Sequence, residues 1–345
     1  MPSPSSDVSA STRPLRVVAI GGGTGLSTLL RGLRRHVMAP GQASPFPGQI
    51  ADLAAVVTVT DDGGSSGRLR RGFNMLPPGD LRNCMVALSE EEALLARLFN
   101  HRFRGGDALR GHNFGNLFVA ALTEITGDFA QAVQLSSKIL ATRGRIYPAT
   151  TANTTLVAEM DDGSFVRGET NITASHRRIV ELTLDPPNPA PLPETLDAIE
   201  RADLITVGPG SLYTSLITNL LVEGIPSALA HARGLRVFVC NLMTQANESL
   251  GLSAAEHIER IYEHTRAPIF DCALINTAPF SPETLARYEA EGASPIVPDI
   301  ERIQALGVRC IAGDFASEDA VVRHAAGRVT GALLALGRTT HHAQN

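Results

Sequence analysis

Several common features are missing from this sequence, and each absence excludes a class of protein. The four cysteines are scattered without a Cys-x-x-Cys pair, which excludes a disulfide-stapled small fold and a cysteine-based zinc site. The formal net charge of −5 provides no basic field, so we expect no binding to nucleic acid. No apolar run reaches the roughly 18 residues that a membrane-spanning helix needs, so no membrane span is predicted.

Lysine is almost absent as well. Lys138 is the only one, and the other 29 of the 30 basic residues are arginine. Because no lysine follows a glycine, a phosphate-binding loop of the GxxxxGK type is excluded. The histidines show no spacing typical of a metal site, so no certain cofactor or metal is predicted.

The rest of the composition is that of a folded α/β protein. Of the 345 residues, 43% are hydrophobic, which is enough to bury a full core. Short apolar runs alternate with helical repeats, and this rhythm predicts a Rossmann-like, mostly parallel sheet with helices on both faces. We expect a disordered tail over 1–13, a single domain over 14–338 and a second tail over 339–345.

Two further segments complete the predicted architecture. Thr155–Met160 and Ser164–Gly168 flank an Asp-Asp-Gly turn, which predicts a small β-hairpin insertion at about 146–184. Near the other end of the sequence, the apolar spacing predicts a long closing helix over Ser317–Leu336.

Candidate ligand-binding residues follow the predicted strands, because ligands of open α/β sheets bind beyond the carboxyl ends of the strands. The first strand runs into a glycine-rich loop that opens a helix, where backbone N–H groups and the helix dipole favour an anion. A bare tight turn is the structural alternative. One hypothesis for the function is a nicotinamide-dinucleotide binder, but it is weakened because the loop lacks the GxGxxG spacing. The candidates in this loop are Gly22, Gly23, Thr24 and Gly25.

The second predicted strand ends in an acidic pair, Asp61 and Asp62, that can hold a ribose, a base edge or a cation. Ser65, Ser66 and Arg68 follow as hydrogen-bond donors. A solvated turn is the alternative.

The segment GHNFGN opens another helix and predicts a second phosphate site. Its histidine, His112, is either an acid/base group, a phosphate donor or a packed cap residue. The segment's other candidates are Asn113, Gly115 and Asn116.

The remaining candidates lie in other predicted loops and helices. Asp80 is predicted to be a helix N-cap as well as a ligand contact, and Arg323 is placed on the closing helix. For each of them, helix capping or a solvated surface is the alternative interpretation. The other members of this group are Asn83, Gly210, Ser211, Asn241 and Thr244.

Six blocks in this order resemble the gluconeogenesis factor family, the YvcK/CofD-like proteins. They extend from Val17 to about Ile261, and six matches in order are far more specific than one glycine loop. The blocks are VVAIGGGTGLSTLLRGL, VTVTDDGGSSGRLR, PPGDLRNCMVALS, GHNFGNLFVAALTEITGDFAQAV, ADLITVGPGSLYTSLITNLLV and VCNLMTQANESLGLSAAEHIERI.

The resemblance implies a cytoplasmic bacterial protein that binds UDP-activated sugars such as UDP-N-acetylglucosamine. It also implies a regulatory role in cell shape and peptidoglycan synthesis on gluconeogenic carbon sources, without a demonstrated enzyme activity. Under it, the glycine loop and GHNFGN hold the pyrophosphate, and Asp61 or Asp62 holds the uridine or its ribose. The resemblance assigns the sugar contacts to Asn116, Ser211 and Asn241. Partners are expected among cell-wall synthesis proteins, and a homodimer is compatible with the sequence.

A sister branch of the family, 2-phospho-L-lactate transferase, provides the alternative function. It moves a phospholactyl group from a nucleoside-diphosphate carrier onto a deazaflavin, and it implies Mg²⁺ on Asp61 and Asp62 with His112 near the leaving phosphate.

The sequence departs from its own branch at two places. Ala246–Ser249 replaces an expected Pro-Gly-Glu-Thr. Ala325 and Ala326 replace an Asp-Thr pair, so phosphorylation there is not expected.

Overall fold

The computed structural model describes residues 13–38, 50–90, 92–175, 177–245 and 248–343. Its centre is a sheet of seven strands, and every pairing between neighbouring strands is parallel. The strands are β1 (Leu15–Gly21), β2 (Ile50–Val57), β3 (Arg145–Pro148), β7 (Leu204–Val207), β8 (Leu235–Val239), β9 (Cys272–Asn276) and β10 (Arg309–Gly313). Their spatial order is β10-β9-β8-β7-β1-β2-β3.

Helices cover both faces of this sheet, as predicted for a Rossmann-like fold. None of the described helices is both long and apolar enough to cross a membrane. They are α1 (Gly23–Arg34), α2 (Gly64–Phe73), α3 (Gly79–Leu88), α4 (Glu92–Phe99), α5 (Phe114–Thr126), α6 (Phe129–Ile139), α7 (Glu169–Ala174), α8 (Pro193–Arg201), α9 (Thr218–Leu220), α10 (Ile225–His231), α11 (Ala254–Thr265), α12 (Pro282–Ala290), α13 (Ile300–Ala305) and α14 (Ala326–Ala343), with a π-helix at Leu212–Ile217 before α9.

The alternation of side chains along the central strand divides the core into two clusters. Val17 and Ala19 of β1 pack on one face with α1, α3 and α14. Val18 and Ile20 pack on the other face with α8, α10 and α11. Because successive residues of a strand point to opposite faces, a strand that is buried on both sides is apolar on both, as β1 is from Val17 to Ile20.

A second, antiparallel sheet confirms the predicted hairpin. Strands β4 (Thr155–Met160) and β5 (Phe165–Arg167) pair around the Asp-Asp-Gly turn, and β6 (Ile179–Asp185) pairs with the other edge of β4. The antiparallel part is shorter than the predicted 146–184, because β3 pairs with β2 in the main sheet.

The predicted closing helix over Ser317–Leu336 is wrong in its first half. A hairpin of β11 (Ala316–Glu318) and β12 (Val322–His324) occupies that part, and α14 then runs from Ala326 through residues 339–343 of the predicted tail. Tertiary contacts hold the hairpin: the Glu318 carboxylate accepts hydrogen bonds from Ser281, and Val322 N donates to Tyr288 Oη at 2.9 Å. Arg323 therefore lies on a strand and not on a helix.

Candidate functional site

The strand order reverses between β1 and β7, and a cleft opens at this switch point. From β1 the chain continues outward to β2 and β3, whereas from β7 it continues in the opposite direction to β8 and β9. Such switch points are the usual ligand sites of doubly wound sheets. The cleft has a volume of about 430 Å³. It is lined by the loops after β1, β7 and β8 and by the tip of the β11–β12 hairpin.

The glycine loop after β1 combines close packing with an open side. A Cβ at Gly25 would lie 2.5 Å from the Pro209 carbonyl oxygen, and one at Gly22 would lie 2.6 Å from Asp80 Oδ2. Gly23 differs, because it has a φ of +61° and nothing within 4 Å of a Cβ placed there. Gly22 and Gly25 are therefore required by packing, while Gly23, with Thr24, faces the cleft at the start of α1. First-turn N–H groups of a helix lack intrahelical partners and suit an anion.

The two carboxylates after β2 do not act as a pair, because they have different partners. Asp61 Oδ1 accepts a hydrogen bond from Gly63 N at 2.9 Å, and its Oδ2 faces the start of α3. Asp62 Oδ1 instead accepts from Thr170 N at 2.9 Å and Thr170 Oγ1 at 2.6 Å. Asp62 therefore holds α7, which follows β5, whereas Asp61 faces the start of α3 close to Asp80.

Asp80 is not the N-cap of α3, contrary to the prediction. Pro78 holds the cap position, and Asp80 is the second residue of the helix. Its carboxylate lies against the glycine loop and accepts a hydrogen bond from Gly23 N. Burial, and then the nearby charge of Asp61, raise the pKa of Asp80 to about 6. The helix start places an acid directly beneath the anion loop.

Two further acids of this region were missed in the sequence. Glu169 begins α7, and burial together with Asp80 and Asp61 raises its pKa to about 9. Glu248 accepts hydrogen bonds from Tyr213 N at 3.2 Å and from Thr214 Oγ1 at 2.6 Å, so it caps the π-helix. Its burial raises the pKa. Glu169 belongs to none of the predicted motifs. Glu248 lies in the sixth family block, at the Glu position of the expected Pro-Gly-Glu-Thr, but nothing in the sequence indicates its contact with the π-helix.

The GHNFGN segment, which lies between α4 and α5, meets the first turn of α2. Ser65 Oγ lies 3.2 Å from His112 Nδ1, and Asn113 Oδ1 caps α5 by accepting from Asn116 N at 3.3 Å. Asn116 Nδ2 donates to Ser66 Oγ at 3.3 Å, while the buried Asn116 Oδ1 has no partner.

Contacts at Gly79 join this cluster to Asp61. A Cβ at Gly79 would lie 2.6 Å from Ser66 Oγ and 2.8 Å from Asp61 Oδ2. The polar groups therefore continue from the glycine loop through Asp80 and Asp61 to Asn116.

Three further candidates lie next to these polar groups, and each is bonded to or packed against another part of the protein. Arg68 Nη1 donates to the Arg110 carbonyl at 2.9 Å, and Asn83 Oδ1 accepts from Arg82 at 2.6 Å. Gly115 packs against the Arg82 side chain, with 2.7 Å between a Cβ placed there and Cδ.

On the opposite wall of the cleft, the polar side chains mostly bind other protein loops. Asn241 Nδ2 donates to the Gly210 carbonyl at 2.7 Å, and Asn241 Oδ1 accepts from Gly210 N at 3.1 Å. Ser211 Oγ accepts from Gln245, and Thr244 Oγ1 accepts from Ser294 N at 2.9 Å. These side chains therefore connect the loops that form this wall of the cleft.

Arg323 is exposed and lines the cleft together with the loops after β1, β7 and β8. The next residue, His324, is half-buried, and its Nε2 lies 3.0 Å from the Cys240 carbonyl oxygen; desolvation lowers its pKa to about 4. Of the unusual segment Ala246–Ser249, the first two residues lie outside the described residues. Within the described ranges, no group of three His, Cys, Asp or Glu side chains is arranged to hold a metal.

Comparisons with known proteins agree on one family. Residues 17–316 match the family model described as 2-phospho-L-lactate transferase CofD. The chain is 46% identical over 319 residues to the gluconeogenesis factor of Halalkalibacterium halodurans, covering 92% of this chain and 95% of the relative. It is 44% identical over 322 residues to the gluconeogenesis factor of Bacillus subtilis, covering 93% and 98%. A crystal structure of a UPF0052 family protein from Bacillus halodurans matches with a TM-score of 0.87 and 44% identity, covering 93% of this chain and 99% of that one. The chain therefore belongs to the CofD family, within its branch of gluconeogenesis factors.

Proposed function

We propose that this protein binds a nucleotide sugar, UDP-N-acetylglucosamine or a related compound, in the cleft at the switch point. The observation that carries the proposal is the meeting of the Gly22–Gly25 loop with the Gly210–Ser211 loop around an open volume of about 430 Å³. Ligand clefts of roughly 300–1,000 Å³ suit molecules of this size. In this proposal the start of α1 and Arg323 attract the pyrophosphate, and the contact with the ribose or base is assigned to Asp61, which lies close to Asp80.

The second part of the proposal is a regulatory role in the bacterial cytoplasm. Relatives that match nearly the whole chain carry the name gluconeogenesis factor, which supports a role in growth on gluconeogenic carbon sources. We place that role in cell shape and peptidoglycan synthesis, with cell-wall synthesis proteins as partners and a homodimer as a possible assembly. The bound nucleotide sugar would report the supply of cell-wall precursor.

A specific observation favours one second candidate, an Mg²⁺-assisted transferase of the phospholactate type. Asp80 lies against the glycine loop with the charge of Asp61 nearby, and Mg²⁺ in nucleotide sites is commonly held by one or two carboxylates and the substrate phosphates. Asp80 thus replaces Asp62 in the predicted pair, since Asp62 is bonded to α7. When bound, Mg²⁺ would neutralise charge on the phosphates. Of the two residues predicted to act in a transferase, His112 remains the candidate for a contact at the reacting phosphate, whereas Asp62 is bonded to Thr170.

Thermal unfolding with three ligands in parallel separates these functions. The protein is heated with UDP-N-acetylglucosamine, with GDP plus Mg²⁺, and with NAD. A ligand at 100 times its Kd adds about 2.7 kcal/mol to the free energy of unfolding, which shifts Tm by a few degrees. We expect the shift with the UDP-sugar. A shift with GDP plus Mg²⁺ alone would move the assignment to the transferase, and one with NAD alone would overturn both.

Two variants connect that shift to the cleft. Asp61→Asn keeps an acceptor for Gly63 N but loses the charge, so the protein should fold and bind the UDP-sugar at least tenfold more weakly, about 1.4 kcal/mol. Gly25→Ala pushes a Cβ against Pro209 and should also abolish the shift. Gly331→Ala, where nothing lies within 4 Å, is the matched control and should bind normally. Unchanged binding in Asp61→Asn and Gly25→Ala would exclude the cleft.

A further inference from the structure

At the N-terminus of α5, hydrogen bonds determine which nitrogen of the His112 ring carries the proton. Ser65 Oγ is buried and lies 3.2 Å from His112 Nδ1. Asn113 N lies 3.2 Å from the same hydroxyl oxygen. Within the described part of the chain, Ser65 Oγ makes no other hydrogen bond.

Counting donors assigns these two contacts. A backbone N–H can only donate, so Ser65 Oγ accepts from Asn113 N. The hydroxyl has a single proton, and His112 Nδ1 is its one acceptor here. The alternative, with Nδ1–H donating to Ser65, would leave a buried hydroxyl proton without an acceptor, which folded proteins strongly avoid. A neutral ring whose Nδ1 accepts must carry its proton on Nε2.

The surroundings of His112 favour the neutral ring and an anionic ligand together. Partial burial, followed by the charges of Arg68 and Arg102, lowers the pKa of His112. Arg68 lies on α2 and Arg102 on the loop before α5. Both arginines and the start of α5 create a positive field, so a group that approaches the ring is most stable when it carries negative charge.

We infer that Ser65 is a positioning residue that holds His112 as the neutral Nε2–H tautomer, so that His112 donates a hydrogen bond to a phosphoryl oxygen. In this role His112 binds and orients the phosphate and does not transfer a proton. The identity of the phosphate compound rests on the proposed function, whereas the tautomer is a property of the free protein.

NMR of the full chain labelled with ¹⁵N-histidine tests the tautomer directly. The sequence has ten histidines, so the His112 ring signals are assigned by their loss in His112→Gln. We expect an unprotonated Nδ1 and a protonated Nε2 near pH 7. In Ser65→Ala the ring should shift toward the other tautomer or a mixture. Ser66→Ala is the matched control, because Ser66 Oγ bonds Asn116 and not His112, and should leave the ring unchanged.

The role as a phosphate donor is tested on the same signals with two probes, sodium pyrophosphate and UDP-N-acetylglucosamine. Either probe should move the Nε2–H signal. His112→Gln, which keeps an N–H donor near the position of Nε2, should retain affinity within about threefold, whereas His112→Ala should lose about tenfold.

The outcomes separate this inference from the proposed function. If pyrophosphate moves the Nε2–H signal and UDP-N-acetylglucosamine does not bind, the nucleotide-sugar proposal fails and the inference stands. If His112 carries Nδ1–H, if Ser65→Ala leaves the tautomer unchanged, or if neither probe moves the signal, the inference is overturned.

Discussion

At the scale of single residues, the unusual feature of the site is that several acidic side chains lie close together near a loop that suits an anion. Asp61, Asp80 and Glu169 are close enough for each charge to oppose the next. With a pKa near 9, Glu169 is a neutral carboxylic acid at pH 7 and can donate a hydrogen bond. Protonation of Glu169 thus reduces the repulsion among these three acids.

Glu169 should make stability depend on pH above neutrality. Its pKa is raised from 4.5 in the unfolded chain to about 9 in the folded protein, so the folded state binds the extra proton between these values. The free energy of unfolding should therefore fall as pH rises toward 9, by up to about 1.4 kcal/mol per pH unit. Denaturant unfolding between pH 7 and 8.5 measures this fall, in a range above the pKa values of Asp80 and His324.

Glu169→Gln mimics the protonated acid and should remove most of that fall while folding normally at pH 7. The exposed Glu200→Gln on α8 is the control and should keep the wild-type slope. If Glu169→Gln retains the same slope, the source lies elsewhere.

Sequence reasoning could not find this acid, because its neighbours come from distant parts of the chain. Local motifs identify Asp61 and Asp80, since Asp61 follows the second strand and Asp80 follows a turn that opens a helix. Glu169 follows a hairpin and lies near them only after the antiparallel sheet folds back on the site. Local patterns likewise could not show that Asp62, Asn241 and Thr244 already have protein partners.

At the scale of elements, Asp62 connects the antiparallel sheet to the loop after β2. Its two hydrogen bonds to Thr170 hold the first turn of α7, which follows β5. These hydrogen bonds therefore join the loop after β2 directly to the antiparallel part of the protein, although β2 itself belongs to the main sheet.

Asp62→Ala should loosen α7 selectively. Losing both bonds should cost about 1–2 kcal/mol, and hydrogen exchange should accelerate in Glu169–Ala174 before it does in the main sheet. Asp197→Ala removes an exposed ion pair with Arg201 and should change neither quantity appreciably. Equal exchange rates in α7 of Asp62→Ala and wild type would contradict the assigned connection.

The elements also show what periodicity can predict. The Leu26, Leu29, Leu30 and Leu33 stripe of α1 is fully buried, as its spacing indicates. Around Val321 and Val322 the same apolar spacing suits a helix or a strand, and contacts with Tyr288 and Ser281 decide for the strand. The fold class and the family were confirmed because they rest on many elements at once.

At the scale of the whole molecule, the first and last helices close one face of the sheet against each other. Gly32 of α1 packs against Thr330 and Ala326 of α14, where a Cβ would lie 2.8 Å from the Ala326 carbonyl oxygen. The two backbones approach this closely because residue 32 has no side chain.

Gly32→Ala should force these helices apart and destabilise the protein by about 1–3 kcal/mol, despite the better helix propensity of alanine. Gly327→Ala on α14, where nothing lies within 4 Å, should be neutral or slightly stabilising. Denaturant midpoints of the two variants check this, and equal midpoints would show that α1 and α14 can separate freely.

The position of β1 in the sheet has a consequence for biosynthesis. Its neighbour on one side, β2, follows soon after it, but its neighbour on the other side, β7, begins only at Leu204. While a ribosome makes the residues between them, one edge of a strand that is apolar from Val17 to Ile20 has no partner and can pair with another nascent chain. We therefore expect yield in cells to depend on translation speed and chaperone supply more strongly than the stability of the finished protein would indicate.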